Sequence, residues 1–339
     1  MPTAISLFRK YRLLGTGALL ALLIPYVSLA KAGITVATVP VDNPGNAPDT
    51  TVASDGTSGY GEVDYDYNIA KYDVTAGQYC AFLNAVAATD TYGLYNANML
   101  DGYFAPCGIV QEGTPGNYTY APTKNPNFPV NYVTFWDAAR FANWLANGQP
   151  TGSEGPGTTE TGTYTLTSAA IANNSVTRNP NSTWSVASEN EWYKAAYYDP
   201  SNATYYEYAT QSDTLPSNVL SATGQNNANY YAGGYTDPVN YLTAVGAFAS
   251  SPSAYGTYDQ AGDVMNWNDA IVFGGRGLRG SFVSIEETDL PSSIRSDTEP
   301  TYADYSVGFR VSEVPEPATT LSLLAMSSLT LLQRRRRAR

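Results

Sequence analysis

The chain has 339 residues, of which 43% are apolar, 14% are charged and 28 are tyrosine, enough apolar material for a sizeable core and too little charge for a solvated coil. It contains no histidine, which excludes imidazole base catalysis, Ser-His-Asp triads and histidine-held zinc or iron. Between residues 33 and 314 nine basic residues face 29 acidic ones, a net charge of about −20; such a surface repels nucleic acid and anionic lipid and attracts divalent cations or basic partners.

The first 32 residues have a basic start (Arg9, Lys10, Arg12), an apolar run from Leu13 to Ala30 and a small-x-small site at Ala30–Ala32. That is the layout of a secretory signal cleaved before Gly33, and a retained anchor is the alternative. Residues 33–61 are rich in Pro, Gly, Thr, Ser and Asp and read as an extended lead-in with no core of its own, so the folded domain is expected over 62–312.

Three helices can be placed. The first opens with the capping-box pair Thr75 and Gln78 and carries Tyr79, Phe82, Leu83 and Val86 at helical spacing. The second opens with Thr134 and Asp137, with Ala138, Phe141 and Leu145 on one side and Trp144 alongside. The third opens with Ser188 and Glu191, continues through Trp192, Ala195 and Ala196, and stops before Pro200. Residues 152–180 read as an excursion with one short strand at Thr163–Thr167, and the chain beyond Ser201 as loops and short strands. Few helices amid ordered loop imply one α+β domain. Cys80 and Cys107 are the only cysteines; in an oxidising compartment they form a disulfide, or else Cys80 is a buried thiol and Cys107 a loop thiol.

The last segment, 314–339, holds Val-Pro-Glu-Pro (Val314–Pro317), an apolar run over 318–332 and a cluster of arginines at Arg334–Arg337 and Arg339. This order resembles the PEP-CTERM sorting tail. The resemblance implies an exosortase-type processing enzyme as partner, an extracytoplasmic, envelope address, and membrane contact only through the tail before processing. The arginines would stay on the cytoplasmic side.

Six ordered blocks resemble a second family: Tyr67–Val86, Phe128–Leu145, Trp184–Ala196, Ala244–Trp267, Arg276–Phe282 and Val307–Val311. They are similar to successive motifs of the formylglycine-generating-enzyme, or sulfatase-modifying-factor, family. The resemblance implies that family's variant of the C-type-lectin fold, low in regular secondary structure. It also implies an oxidase whose two cysteines hold copper, yet the matching positions here are Ser284 and Asp289, neither a soft ligand for Cu(I). No copper is therefore expected. The family's calcium sites correspond to Asp259, Gly262, Val264 and Asn266, and to Asn229, Tyr230, Asp237 and Val239; a calcium ion there is one expectation, and plain Asx-rich turns are the other.

Arg279, Arg295 and Arg310 are expected to pair with buried carboxylates, Glu189 or Glu191 among them, with anion binding as the alternative. The tyrosine-rich loops Asn226–Tyr235 and Tyr197–Tyr208 offer flat aromatic faces to a glycan or protein, or simply cover the surface. The resulting expectation is an exported, non-catalytic binding or matrix component, against an oxidase of the same family with an altered site.

Overall fold

The computed structural model describes residues 33–314 except residue 222; the signal and the sorting tail expected from the sequence lie outside them. In chain order the elements are β1 (Thr38–Val41), β2 (Tyr67–Ala70), α1 (Ala76–Val86), α2 (Asn98–Asp101), β3 (Ile109–Glu112), β4 (Thr119–Pro122), α3 (Phe135–Ala146) and α4 (Ser168–Ala172). There follow β5 (Trp184–Val186), α5 (Glu189–Tyr197), β6 (Tyr198–Asp199), β7 (Thr204–Tyr205), β8 (Met265–Val272), β9 (Gly275–Arg279), β10 (Ser296–Thr298), β11 (Val307–Phe309) and β12 (Val311–Glu313).

The three long helices start where local chemistry directs. Thr75, Thr134 and Ser188 each accept the backbone N–H three residues on, and Gln78, Asp137 and Glu191 reach back to the cap's own N–H. α3 is buried from Phe135 to Leu145 on every side rather than along one stripe. It runs through the middle of the main core, where Phe141 packs against Tyr79, Phe82, Trp144 and Phe309 at 5.3–6.2 Å between ring centres. A second, smaller core gathers on α5 around Trp192, Tyr193, Tyr197 and Tyr67.

Two four-stranded sheets run in the orders β1-β2-β12-β5 and β10-β9-β8-β11. β11 lies parallel to β8, with Phe309 opposite Trp267, while β12 is antiparallel to both β2 and β5. Arg310 alone separates β11 from β12 and is fully buried between the sheets.

Three regions differ from the sequence reading. Residues 33–61 do contribute to the core: β1 pairs with β2, Val41 is fully buried, and Asp49 bridges to Tyr60. Pro40 is tolerated in β1 because this strand is a sheet edge, where a missing N–H is not needed. The strand expected at Thr163–Thr167 is a single bridge from Tyr164 to Arg178, because Thr167 instead caps α4 through Ala170 N–H. Cys80 and Cys107 are both free and both buried, so no disulfide joins them. Among the described residues no helix is long and apolar enough to cross a membrane.

Candidate functional site

After β9 the chain turns through Gly280 (φ 84°), where a Cβ would lie 2.9 Å from the Gln260 carbonyl and 3.2 Å from the Trp192 ring. Only glycine fits there. The turn delivers Phe282 and Ser284 to one face of the molecule. Ser284 Oγ lies 3.2 Å from Tyr305 Oη. Tyr305 in turn packs on Phe104 (5.0 Å) and Phe282 (6.0 Å), and Phe104 stacks on Tyr241 at 4.1 Å. Tyr235 touches Phe104 and Tyr241, and Tyr231 touches Tyr235. These six rings are all half-buried, so they form one continuous aromatic platform with Ser284 at its edge.

The platform is assembled from four distant stretches by buried polar groups. Asn131, fully buried, donates to the Ala105 and Tyr305 carbonyls and accepts from Cys107 N–H. Tyr132 Oη donates to Phe104 O, and Tyr231 N–H donates to Ile285 O. With both amide donors of Asn131 used and its oxygen engaged, the Phe104 loop and the Tyr305 loop keep a fixed separation. Asp289, the second position matched to the copper thiols, sits in a 3-10 turn with its N–H on Glu286 O. Neither cysteine replaces the missing pair. Burial pushes the Cys80 thiol up to about 12 and the Cys107 thiol up to about 11, so both stay protonated and inert at neutral pH.

The residues matched to calcium sites fall in two places. Asn229 and Gly262 form a parallel bridge, with Gly262 at φ 114° and a Cβ there only 2.1 Å from Asn229 O. Asn229 Nδ2 donates to Asp263 Oδ1 (2.7 Å) and to Tyr241 O. Asp259 accepts Gly246 N–H on Oδ2, but its Oδ1 and the Asn229 Oδ1 are buried with no donor. Both residues, with Asp263, line a cavity of about 10 Å³, room for about one water-sized species. Val264 is core, and Asn266 Oδ1 accepts the Trp192 indole N–H at 2.8 Å. Tyr230 Oη donates to Pro216 O. Asp237 spends its carboxylate on its own turn, accepting Val239 N–H, Asn240 N–H and Asn240 Nδ2, and Val239 is exposed. Among the described residues no three acidic or cysteine side chains converge on one point.

The arginines behave as the sequence suggested, with one exchange. Arg279 and Arg295 pair with Glu189 at 2.8 and 2.7 Å, and Arg310 pairs with Asp73 at 2.9 Å. Glu191 belongs instead to Arg178, which the sequence reading passed over. Every one of the nine basic residues between 33 and 314 is buried or half-buried, so none stands fully exposed and the surface is poor in positive charge. The tyrosines of Tyr197–Tyr208 divide: Tyr197, Tyr198 and Tyr208 turn inward rather than offering a face, whereas Tyr231 and Tyr235 of the other loop stand on the platform.

A family model described as a sulfatase-modifying factor enzyme 1-like domain matches residues 43–313, and the chain belongs to that family. Among solved structures it is similar to CarF, with a TM-score of 0.53 at 20% identity over 83% of this chain and 99% of that one. The Treponema denticola variable protein 1 gives a TM-score of 0.48 at 16% identity over 83% and 98%. PvdO from Pseudomonas aeruginosa gives 0.48 at 18% identity over 82% and 92%. No curated protein sequence matches. The mixed α+β architecture, with short strands and much ordered loop, is consistent with the family's C-type-lectin-like fold.

Proposed function

We propose that this protein is a non-catalytic member of the sulfatase-modifying-factor family, exported and sorted to the envelope, that binds a glycan or protein through the aromatic platform beside Ser284. The observation that carries this reading is the Ser284–Tyr305 hydrogen bond. A hydroxyl stands where the copper chemistry needs a thiolate, and it is already engaged by a neighbouring phenol. Six ordered rings supply contact area at little entropic cost, the property that makes tyrosine effective in recognition surfaces. A cation-poor exterior favours neutral or basic partners over polyanions. Calcium serves structure in this reading, held by Asp259 and Asn229, whose buried oxygens lack donors, with Asp263 beside them; hard carboxylate and amide oxygens suit that ion. The export signal and the sorting tail supply the address, with an exosortase-type enzyme as processing partner.

The test is direct. The purified protein, given copper, reductant and a sulfatase-type cysteine peptide, should yield no formylglycine by mass spectrometry above a no-enzyme control. Aldehyde product would restore the altered-site oxidase.

A further inference from the structure

We propose that a second pocket, walled by α3, α4 and the turn bearing Tyr92, binds a neutral saccharide. It has a volume of about 380 Å³, within the range of small-molecule sites, and shares no residue with the aromatic platform. Its polar wall is an ion pair locked in place. Arg140 donates through Nε and Nη2 to Glu160 Oε1 (2.6 Å) and Oε2 (3.1 Å), with both side chains under a tenth exposed. Glu160 Oε1 also accepts the Thr159 hydroxyl, and the Thr159 carbonyl is held by Asn143 Nδ2 at 2.7 Å. The two charges cancel, leaving directional donors and acceptors without a net charge. A bidentate pair of this kind keeps its geometry without a ligand, so little ordering remains to be done on binding.

The rest of the pocket fits the opposite character. Tyr92 lies with its ring 4.5 Å from the Arg140 guanidinium and is 44% exposed. Leu166 and Ile171 add apolar wall. Trp136, 4% exposed, lines the pocket with its indole N–H lacking any acceptor, an unusual state for a buried donor. A pyranose has a C–H face for the Tyr92 ring and the apolar wall, and hydroxyls for the ion pair. A charged ligand of either sign would meet an ion pair already satisfied within itself and gain no net attraction from it.

The experiment follows the ¹⁵N indole signals of the mature protein during titration with malto-, cello-, xylo- and mannohexaose, the Trp136 signal being assigned by its loss in Trp136→Phe. At least one hexasaccharide should move that signal saturably. Tyr92→Ala and Ser168→Trp, which crowds the exposed mouth, should each weaken binding at least about tenfold, while Tyr103→Ala, at a fully exposed position, should not. A Trp136 signal that none of the four sugars moves up to millimolar concentration overturns the proposal, as does binding that survives both pocket variants. A signal moved by tetramethylammonium and by no sugar also overturns it, in favour of a cation site. Platform variants such as Tyr235→Ala leave this titration unchanged, so its failure is separable from failure of the proposed function.

Discussion

Glu191 Oε2 accepts three hydrogen bonds at once, from Arg178 Nη2 (2.7 Å), Ser188 N–H (2.7 Å) and Ser312 Oγ (2.8 Å), while its Oε1 takes Arg178 Nη1 and Tyr65 Oη. Arg178 is thereby the partner that makes a fully buried carboxylate tolerable. One capping residue ties α5 to β12, to the 152–180 excursion and to Tyr65. Arg178 holds the Glu191 carboxyl down to about 2 against the burial that would raise it.

Removing one side of that pair should be costly. Glu191→Gln is expected to lose about 3–5 kcal/mol, because Arg178 is left half-buried with Asp269 as its one carboxylate partner and the Val186 carbonyl as a neutral one. Replacing both Arg178 and Glu191 by apolar residues should cost less than the two single losses added together. A double-mutant cycle by urea denaturation measures this, and strict additivity would mean that the two side chains do not work as a unit.

Asp137 occupies the same capping position on α3 with the opposite titration. Burial pushes its carboxyl up to about 7; hydrogen bonds from Thr134 and the charge of Arg140 oppose this, and Asp90 adds to it. The folded chain therefore keeps a proton that the unfolded chain loses near pH 3.9. More protons bound in the native state means that this contribution to stability is full below about pH 4 and is lost as pH rises through about 7. Urea midpoints should fall between pH 5 and pH 8 in the wild type, and Asp137→Asn should flatten that fall. A variant with an unchanged slope would remove Asp137 as the cause.

Calcium should raise the melting temperature and a chelator should lower it. At about 100 times its dissociation constant a ligand of the folded state adds about 2.7 kcal/mol. Asp259→Asn should weaken the response, since it halves the charge offered by Asp259 and Asp263. Superimposable melting curves with millimolar calcium and with chelator would leave these residues as turn formers.

The mature protein isolated from its own envelope fraction should begin near Gly33 and end near Pro317. Intact-mass measurement checks both ends at once. Recovery of a mature form still carrying Arg334–Arg337 would remove the sorting-tail assignment.

What was legible in the sequence is what depends on neighbours or on a recognised motif block. The three capping boxes are relations of residue i to i+3, and each is present as expected. The pairing of Arg279 and Arg295 with Glu189 also came through despite separations of 90 and 106 residues, because Arg279 and Glu189 lie in recognised motif blocks and charges are scarce. Arg178 did not, because it lies outside the recognised blocks. Arg178 meets Asp269 from 91 residues away, and nothing local marks it out from a surface arginine. The platform was half visible: Tyr231 and Tyr235 advertise themselves in a tyrosine-rich loop, but Phe104, Tyr241 and Tyr305 join them only through Asn131 and the turn after Gly280. Inward and outward tyrosines look alike in sequence, which is why Tyr197–Tyr208 was read as surface.

The placement of β11 and β12 sets a timetable for synthesis. β12 lies between β2 and β5, joining residues near 69 to residues near 312, and β11 completes the other sheet beside β8. Neither sheet can close while the last forty residues of the domain are still inside the ribosome or a translocation pore. Until Glu313 emerges, β2 and β5 have no strand between them and Asp73 has no Arg310. Contacts of such sequence separation form slowly, so both sheets complete late, and until then their open strand edges give any holding factor or quality-control protease its opportunity to act.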